Sequence, residues 1–324
     1  MTLTKQASTL RNRAVLALDL GGSKFIAGLV SADGNLIDSR FDRWTVHSEE
    51  GILEQLLTAA SQLIDANPRT PPLAVGATVP GLTDSVGGIW LDSVFLGIRD
   101  FPFADRLSRA LSIPAAIEND VNACALAESY FAHDRKLNDF LWVTVSNGVG
   151  GAVFLDGRLY HGARQGAGEL GHVVVEEGPS ARRCHCGNLG CVEAMASGRG
   201  LVSNYLQLAG RSSIEQQGLT AESVAELARA GDDIARQTYH MEGVYLGRAI
   251  AAAVNILNPS KVFLGGGVSQ SFDLFEPALL QTVRARIYRH ANPDLSIDVT
   301  GLGYHAALLG AAAIAQIHLK KIIN

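Results

Sequence analysis

Cysteine is scarce in this chain, with four in 324 residues. That is too few for the disulfide framework of a secreted domain, and three of the four fall within eight residues, as metal ligands do. Basic runs are missing as well. The net charge is -5, so the positive footprint of a nucleic-acid surface is absent. No apolar run approaches the about 18 residues of a membrane span; Ala249 to Leu257 is short and interrupted by Asn255. Met1 to Arg13 carries Lys5, Arg11 and Arg13 but no apolar core, which excludes a secretory signal and reads as a loose tail. Without a Pro/Ser-rich linker, the parts of the chain are expected to be tightly joined. These absences point to a cytoplasmic protein that binds neither nucleic acid nor membrane. At 47% apolar residues the chain can still bury a large core, and its length allows two or three lobes.

What is present is a plan used twice. Ala14 to Asp19 is a strand, Leu20-Gly21-Gly22-Ser23 a turn, Lys24 to Val30 a strand, Asp33-Gly34 a hairpin signal and Leu36 to Arg40 a returning strand. Phe140 to Val145, Ser146 to Gly151, Ala152 to Leu155, Asp156-Gly157 and Arg158 to Tyr160 repeat it. The periodicity predicts helices over Glu50 to Ala66, Val121 to Phe131, Ala221 to Ala230, Asp233 to Leu257, Phe275 to Tyr288 and from Ala306 onward. Strands fall at Leu73 to Val79, Pro114 to Ile117, Val262 to Leu264 and Ser296 to Val299. Alternating strands and helices with a duplicated opening mean an α/β fold of two facing lobes, with a cleft between them. The expected division is a tail over 1–13, a smaller lobe over 14–119 plus 306–324, and a larger lobe over 120–305 that holds the metal.

That metal site is Cys184, Cys186 and Cys191 with His172. Three thiolates and an imidazole close a tetrahedral set for structural Zn2+ and leave no open position for a reacting water. His185 is the alternative fourth ligand, but it is wedged between two ligands and would point the wrong way.

Asp19-Leu20-Gly21-Gly22-Ser23-Lys24 ends a strand with a carboxylate and exposes backbone N–H groups at a turn. Such a turn suits a phosphate, and Asp19 suits Mg2+ beside it. Asn147 to Gly151 offers a second phosphate-shaped loop, and Gly265-Gly266-Gly267 a flat surface for an adenosine. Glu118-Asn119-Asp120 ends a strand just before a helix. Asp120 there is either a helix N-cap or a base that takes a proton from a substrate hydroxyl, and the two roles are compatible.

In this order the motifs resemble the ROK sugar kinases, of the sugar kinase, Hsp70 and actin superfamily. The resemblance runs from about Val15 to the end. It rests on Asp19 to Lys24, Val79-Pro80-Gly81, Glu118-Asn119-Asp120, Gly168-Glu169-Leu170-Gly171-His172, the Cys184 to Glu193 cluster, Asn258-Pro259, Gly265 to Gly267 and Leu309-Gly310-Ala311-Ala312. It implies a duplicated actin-like ATPase (ribonuclease H-like) fold and an ATP-dependent kinase acting on the 6-hydroxyl of a free hexose or N-acetylhexosamine. Asp120 would be the base. Gly81 would line the sugar pocket, and Asn119, Glu169, His172 and Glu193 would hydrogen-bond the sugar hydroxyls, His172 while its other nitrogen binds zinc. MgATP would lie on Asp19, Gly21, Gly22, Ser23, Lys24, Asn147, Gly148 and Gly265 to Gly267. A homodimer or dimer of dimers is implied too. Three departures stand out: Ser23 for the usual Thr, Ser146-Asn147-Gly148 for a Thr-containing loop, and Phe95 where relatives tend to carry a sugar-binding Asn. The last leaves the sugar open. The rivals are a repressor of the same family and a sugar-binding regulatory protein with weak or no kinase activity. Only some thirteen residues precede Ala14, fewer than a DNA-binding helix-turn-helix module needs, which argues against the first.

Overall fold

The computed structural model describes residues 14–93, 96–131, 137–211 and 218–323. The tail over 1–13 and the Phe95 position lie outside them. The chain forms two compact units. One comprises the described residues within Met1–Lys136, His161–Gly166 and Leu302–Asn324, the other those within Leu137–Tyr160 and Ala167–Gly301.

The first unit is built on β1 (Ala14–Leu20), β2 (Lys24–Ser31), β3 (Leu36–Arg43), β4 (Pro72–Val79) and β8 (Ala115–Asn119), in the order β3-β2-β1-β4-β8. Its first two pairings are antiparallel and its last two parallel. Strand β1 alternates between two apolar layers. Leu16, Leu18 and Leu20 face one, with Ile52, Leu56 and Leu63 of the Glu49–Ala66 helix, while Val15 and Ala17 face the other, with Leu308, Ala311 and Ala315. Both faces are covered by helices, so β1 and β4 are almost wholly apolar, as buried parallel strands must be. A smaller sheet of β5 (Leu82–Asp84), β6 (Ile89–Ser93) and β7 (Ile98–Phe101) was not foreseen in the sequence. Its strands are three to five residues long, too short for a clear alternation.

The second unit repeats the first. Strands β9 (Phe140–Val145), β10 (Val149–Leu155), β11 (Arg158–Leu159), β12 (Lys261–Gly265) and β13 (Ser296–Val299) run in the order β11-β10-β9-β12-β13, with the same antiparallel and parallel pairings. This is the duplication expected from the glycine turns and Asp-Gly hairpins, and it is the fold of the actin-like ATPases.

Two details differ from the sequence reading. The Asp120–Phe131 helix packs on the C-terminal Ala306–Ile323 helix and groups with the first unit, as do His161–Gly166 and the residues from Leu302, so the division follows this helix instead of preceding it. Its alanine-rich packing surface is what joins it there, through Ala123 and Ala127 against Gly310 and Ala311. The stretch Gly303–Ile323 also has the length and mean hydropathy of a membrane span, although no such run was read in the sequence. Half of that stretch is buried, and it packs against β1, β4 and the Asp120–Phe131 helix, which is the pattern of a core helix.

Candidate active site

In the first unit three polar residues line up at the carboxyl ends of adjacent parallel strands. Asp19 on β1 stands opposite Thr78 on β4, and Thr78 opposite Glu118 on β8. Ligands bind at such strand ends in open α/β sheets, because loops can diverge there and leave a crevice. The buried Thr78 hydroxyl donates to Asp19 Oδ1 at 2.7 Å. Burial pushes the Asp19 carboxyl up, against the hydrogen bond from Thr78 and the charges of Lys24 and His305. The turn after Asp19 is held by Gly21 N–H donating to Lys24 C=O at 2.8 Å, which leaves Gly22 and Ser23 exposed. Lys24 Nζ donates to the Tyr304 hydroxyl at 2.8 Å, so its ammonium is fixed by an aromatic partner the sequence did not reveal.

Asp120 opens the helix after β8, but the cap is its neighbour. Asn119 Oδ1 accepts from the N–H groups of Val121 (2.9 Å) and Asn122 (3.2 Å), while Asp120 Oδ1 accepts from Val121 N–H at 3.0 Å. With the capping done by Asn119, the Asp120 carboxylate keeps lone pairs for other work. Burial and the charge of Asp19 raise its pKa to about 6, against the smaller effect of its hydrogen bonds. A carboxylate poised near neutral pH suits general base chemistry. Asn119 Nδ2 donates to Gly81 C=O at 3.1 Å, joining two residues predicted to line one pocket. Gly81 has φ +96°, and a Cβ there would lie 2.2 Å from Asp92 O, so only glycine fits.

The second unit brings together the predicted metal ligands. The donor atoms of His172, Cys184, Cys186 and Cys191 all lie within 4.8 Å of one another. Cys184 Sγ is 3.6 Å from His172 Nδ1, and Cys186 Sγ is 3.6 Å from Cys191 Sγ. Zinc bonds of about 2.0–2.3 Å give tetrahedron edges of about 3.3–3.8 Å, so both separations suit that ion. His185 is exposed and outside the set. The other imidazole nitrogen, His172 Nε2, lies 3.6 Å from Glu169 Oε2. Glu193, two residues after Cys191, accepts from Val149 N–H at 3.2 Å through Oε2. The cysteine loop, Glu169 and the second glycine turn are therefore neighbours.

That turn borders a cavity of about 500 Å3. Ser146, Asn147, Gly267, Val268 and Ser271 line it beyond the ends of β9 and β12, with Thr220 and Ala221 among the residues of its remaining wall. The turn is braced by Gly198 N–H donating to Ser146 C=O at 2.7 Å and by Arg199 Nε donating to Asn147 C=O at 3.3 Å. Gly266 has φ +86°, and a Cβ would sit 2.3 Å from Val145 O, so the glycine run serves tight strand packing as well as the cavity wall. Thr220, Ala221 and Ser271 were missed in the sequence, because helix-start residues carry no pattern that distinguishes a cavity wall from an ordinary cap.

Residues 15–318 match the family model described as the ROK family. A ROK hexokinase from Thermus thermophilus is 32% identical, covering 95% of this chain and 99% of its own, with a TM-score of 0.79. A ROK glucokinase from Streptomyces griseus, solved with glucose and AMPPNP, is 27% identical, covering 94% of this chain and 99% of its own, with a TM-score of 0.80. The DNA-binding transcriptional dual regulator NagC of Escherichia coli (strain K12) is 26% identical over 281 residues, covering 85% of this chain and 69% of its own length.

Proposed function

As the chain belongs to the ROK family, we propose that it is an ATP-dependent kinase that phosphorylates a free hexose or N-acetylhexosamine on its 6-hydroxyl. The observation that carries this reading is Asp120: a carboxylate at a strand end, freed from capping by Asn119, with its pKa at about 6.

Asp120 accepts the proton of the 6-hydroxyl as that oxygen attacks the γ-phosphorus. The bond to the β–γ bridging oxygen breaks, and ADP leaves. Gly81 lines the sugar pocket, and Asn119, Glu169, His172 and Glu193 orient the sugar through its other hydroxyls, since carboxylates with two acceptor oxygens grip vicinal hydroxyl pairs. The nucleotide occupies the cavity lined by Asn147 and Gly267, with Gly148, Gly265 and Gly266 beside it and Gly21, Gly22, Ser23 and Lys24 at the phosphates. Mg2+ held by Asp19 would neutralise charge on the phosphate oxygens. His172, Cys184, Cys186 and Cys191 would hold zinc as a structural ion, and it would fix the imidazole that meets the sugar.

A hexokinase and a glucokinase spanning nearly the whole chain support the kinase reading. The likeness to a DNA-binding regulator favours a second one, in which the same pocket binds sugar with weak or no turnover. ADP release measured against a panel of aldoses and amino sugars separates the two. Sugar-dependent ADP release establishes the kinase; sugar binding without it establishes the regulator.

A further inference from the structure

His161 has no part in the chemistry described so far, yet it touches the machinery of Asp120. It stands in the segment His161–Gly166, which groups with the first unit although the residues on both sides group with the second. Its Nε2 lies 2.7 Å from Glu118 Oε2. Glu118 is 4% exposed, and its other oxygen accepts from Asn119 N–H at 2.9 Å and from Asn122 Nδ2 at 3.1 Å. Both residues belong to the turn that sets Asp120, since Asn119 Oδ1 in turn holds the N–H groups of Val121 and Asn122. A buried carboxylate needs a partner to hold it in place, and His161 is the partner placed to keep Glu118 still. Ser85 Oγ, 3.3 Å from the same nitrogen, and Gln165, 3.4 Å from Ser85 Oγ, flank the pair.

We propose that His161 is a positioning residue for the proposed base: through Glu118 it locks the strand-to-helix turn Asn119–Asn122 and so aims Asp120. This rests on the kinase reading above. The charged groups that face His161 are Glu118 on β8 and Lys321 on the C-terminal helix. Glu118 outweighs both burial and Lys321, so the imidazole is raised above its usual value and stays cationic to a higher pH. The charge, and with it the lock, is present at low pH and is lost as pH rises through that raised value.

The test uses the full chain. His161→Gln is expected to lower kcat about 10-fold, with a smaller change in the KM for sugar, as misplacement of a base does. The wild-type kcat is expected to fall on the alkaline side as His161 loses its proton, and H161Q to lack that fall. In a cycle with Glu118→Gln, the double variant is expected to be no slower than E118Q alone, because His161 acts only through Glu118. Equal kcat and pH profiles for wild type and H161Q, or additive losses in the cycle, would overturn the proposal. The NMR shifts of the Asn119 and Asn122 amides give a readout free of turnover. They should follow the His161 titration in the wild type and not in H161Q. Amides that ignore that titration overturn the proposal even if H161Q proves too unstable to assay. A wild type whose amides do follow it, but which releases no ADP with any sugar, sinks the kinase reading and leaves the His161 coupling standing.

Discussion

Asp120→Asn separates catalysis from folding, because the structure gives the substitution opposite signs for the two. The carboxyl titrates at about 6 in the fold against an ordinary 3.8. Ionising it therefore costs the folded state about 3 kcal/mol, at about 1.4 kcal/mol per unit. A raised carboxyl contributes its stability below the unfolded pKa and loses it as pH climbs through the folded value, so at pH 7 the wild type carries the whole penalty. Asparagine cannot ionise, yet its amide oxygen can still accept from Val121 N–H, and the cap on Asn119 is untouched. D120N should thus melt a few degrees higher at pH 7 while losing about 10²-fold or more in kcat, or about 2.7 kcal/mol of barrier. Sugar binding measured by calorimetry should persist. The wild-type kcat should fall below about pH 6 as the base protonates, and Asp19→Asn should move that limb to lower pH by removing the charge that raises Asp120. The assay is coupled ADP release against pH, beside thermal melts. Near-normal turnover in D120N, or a lower melting temperature with unchanged kcat, would return Asp120 to an ordinary helix-start residue.

One mole of zinc per chain is expected by metal analysis of untagged protein, and Cys186→Ser or chelation should weaken sugar binding and lower the melting temperature together; protein that is fully active and metal-free would refute the site. Gly267 lines the 500 Å3 cavity, and among the described residues a Cβ on it would meet nothing within 4 Å. Gly267→Leu should therefore intrude on the nucleotide, weakening AMPPNP binding by about 10-fold or more, the scale of ~1.4 kcal/mol, with the melting temperature of the free protein nearly unchanged. Glu242 is fully buried, both its carboxylate oxygens lack a hydrogen-bond partner among the described residues, and burial holds its pKa well above its ordinary value. Wild-type stability should decline as pH rises above the ordinary carboxylate pKa toward that raised value, and Glu242→Gln should remove the decline; urea titrations with parallel pH slopes for the two would contradict it.

The sequence determined what repeats locally. Strand, glycine turn, strand and Asp-Gly recur at Ala14 and at Phe140, and the two five-stranded sheets follow with one topology. The convergence of His172 with the three cysteines proposed as metal ligands was also legible, because Cys184, Cys186 and Cys191 sit within eight residues and a tight turn brings sulfurs together. Asp19, Asn119 and Asp120 could be named from their place at strand ends. What each does there could not, because the distribution of hydrogen bonds depends on the dihedrals of one turn: Asn119 took the cap that the sequence offered to Asp120. The elevation of Asp120 was decided by tertiary structure as well, since it needs burial and the charge of Asp19, which lies on another strand of the sheet. His161 carried no signal at all. It stands 43 positions from Glu118 in the chain, and only a fold that groups its short segment with β8 makes an ion pair of them. Periodicity and spacing report contacts a few residues apart, whereas the protonation and aim of a carboxylate depend on whatever the whole chain places around it.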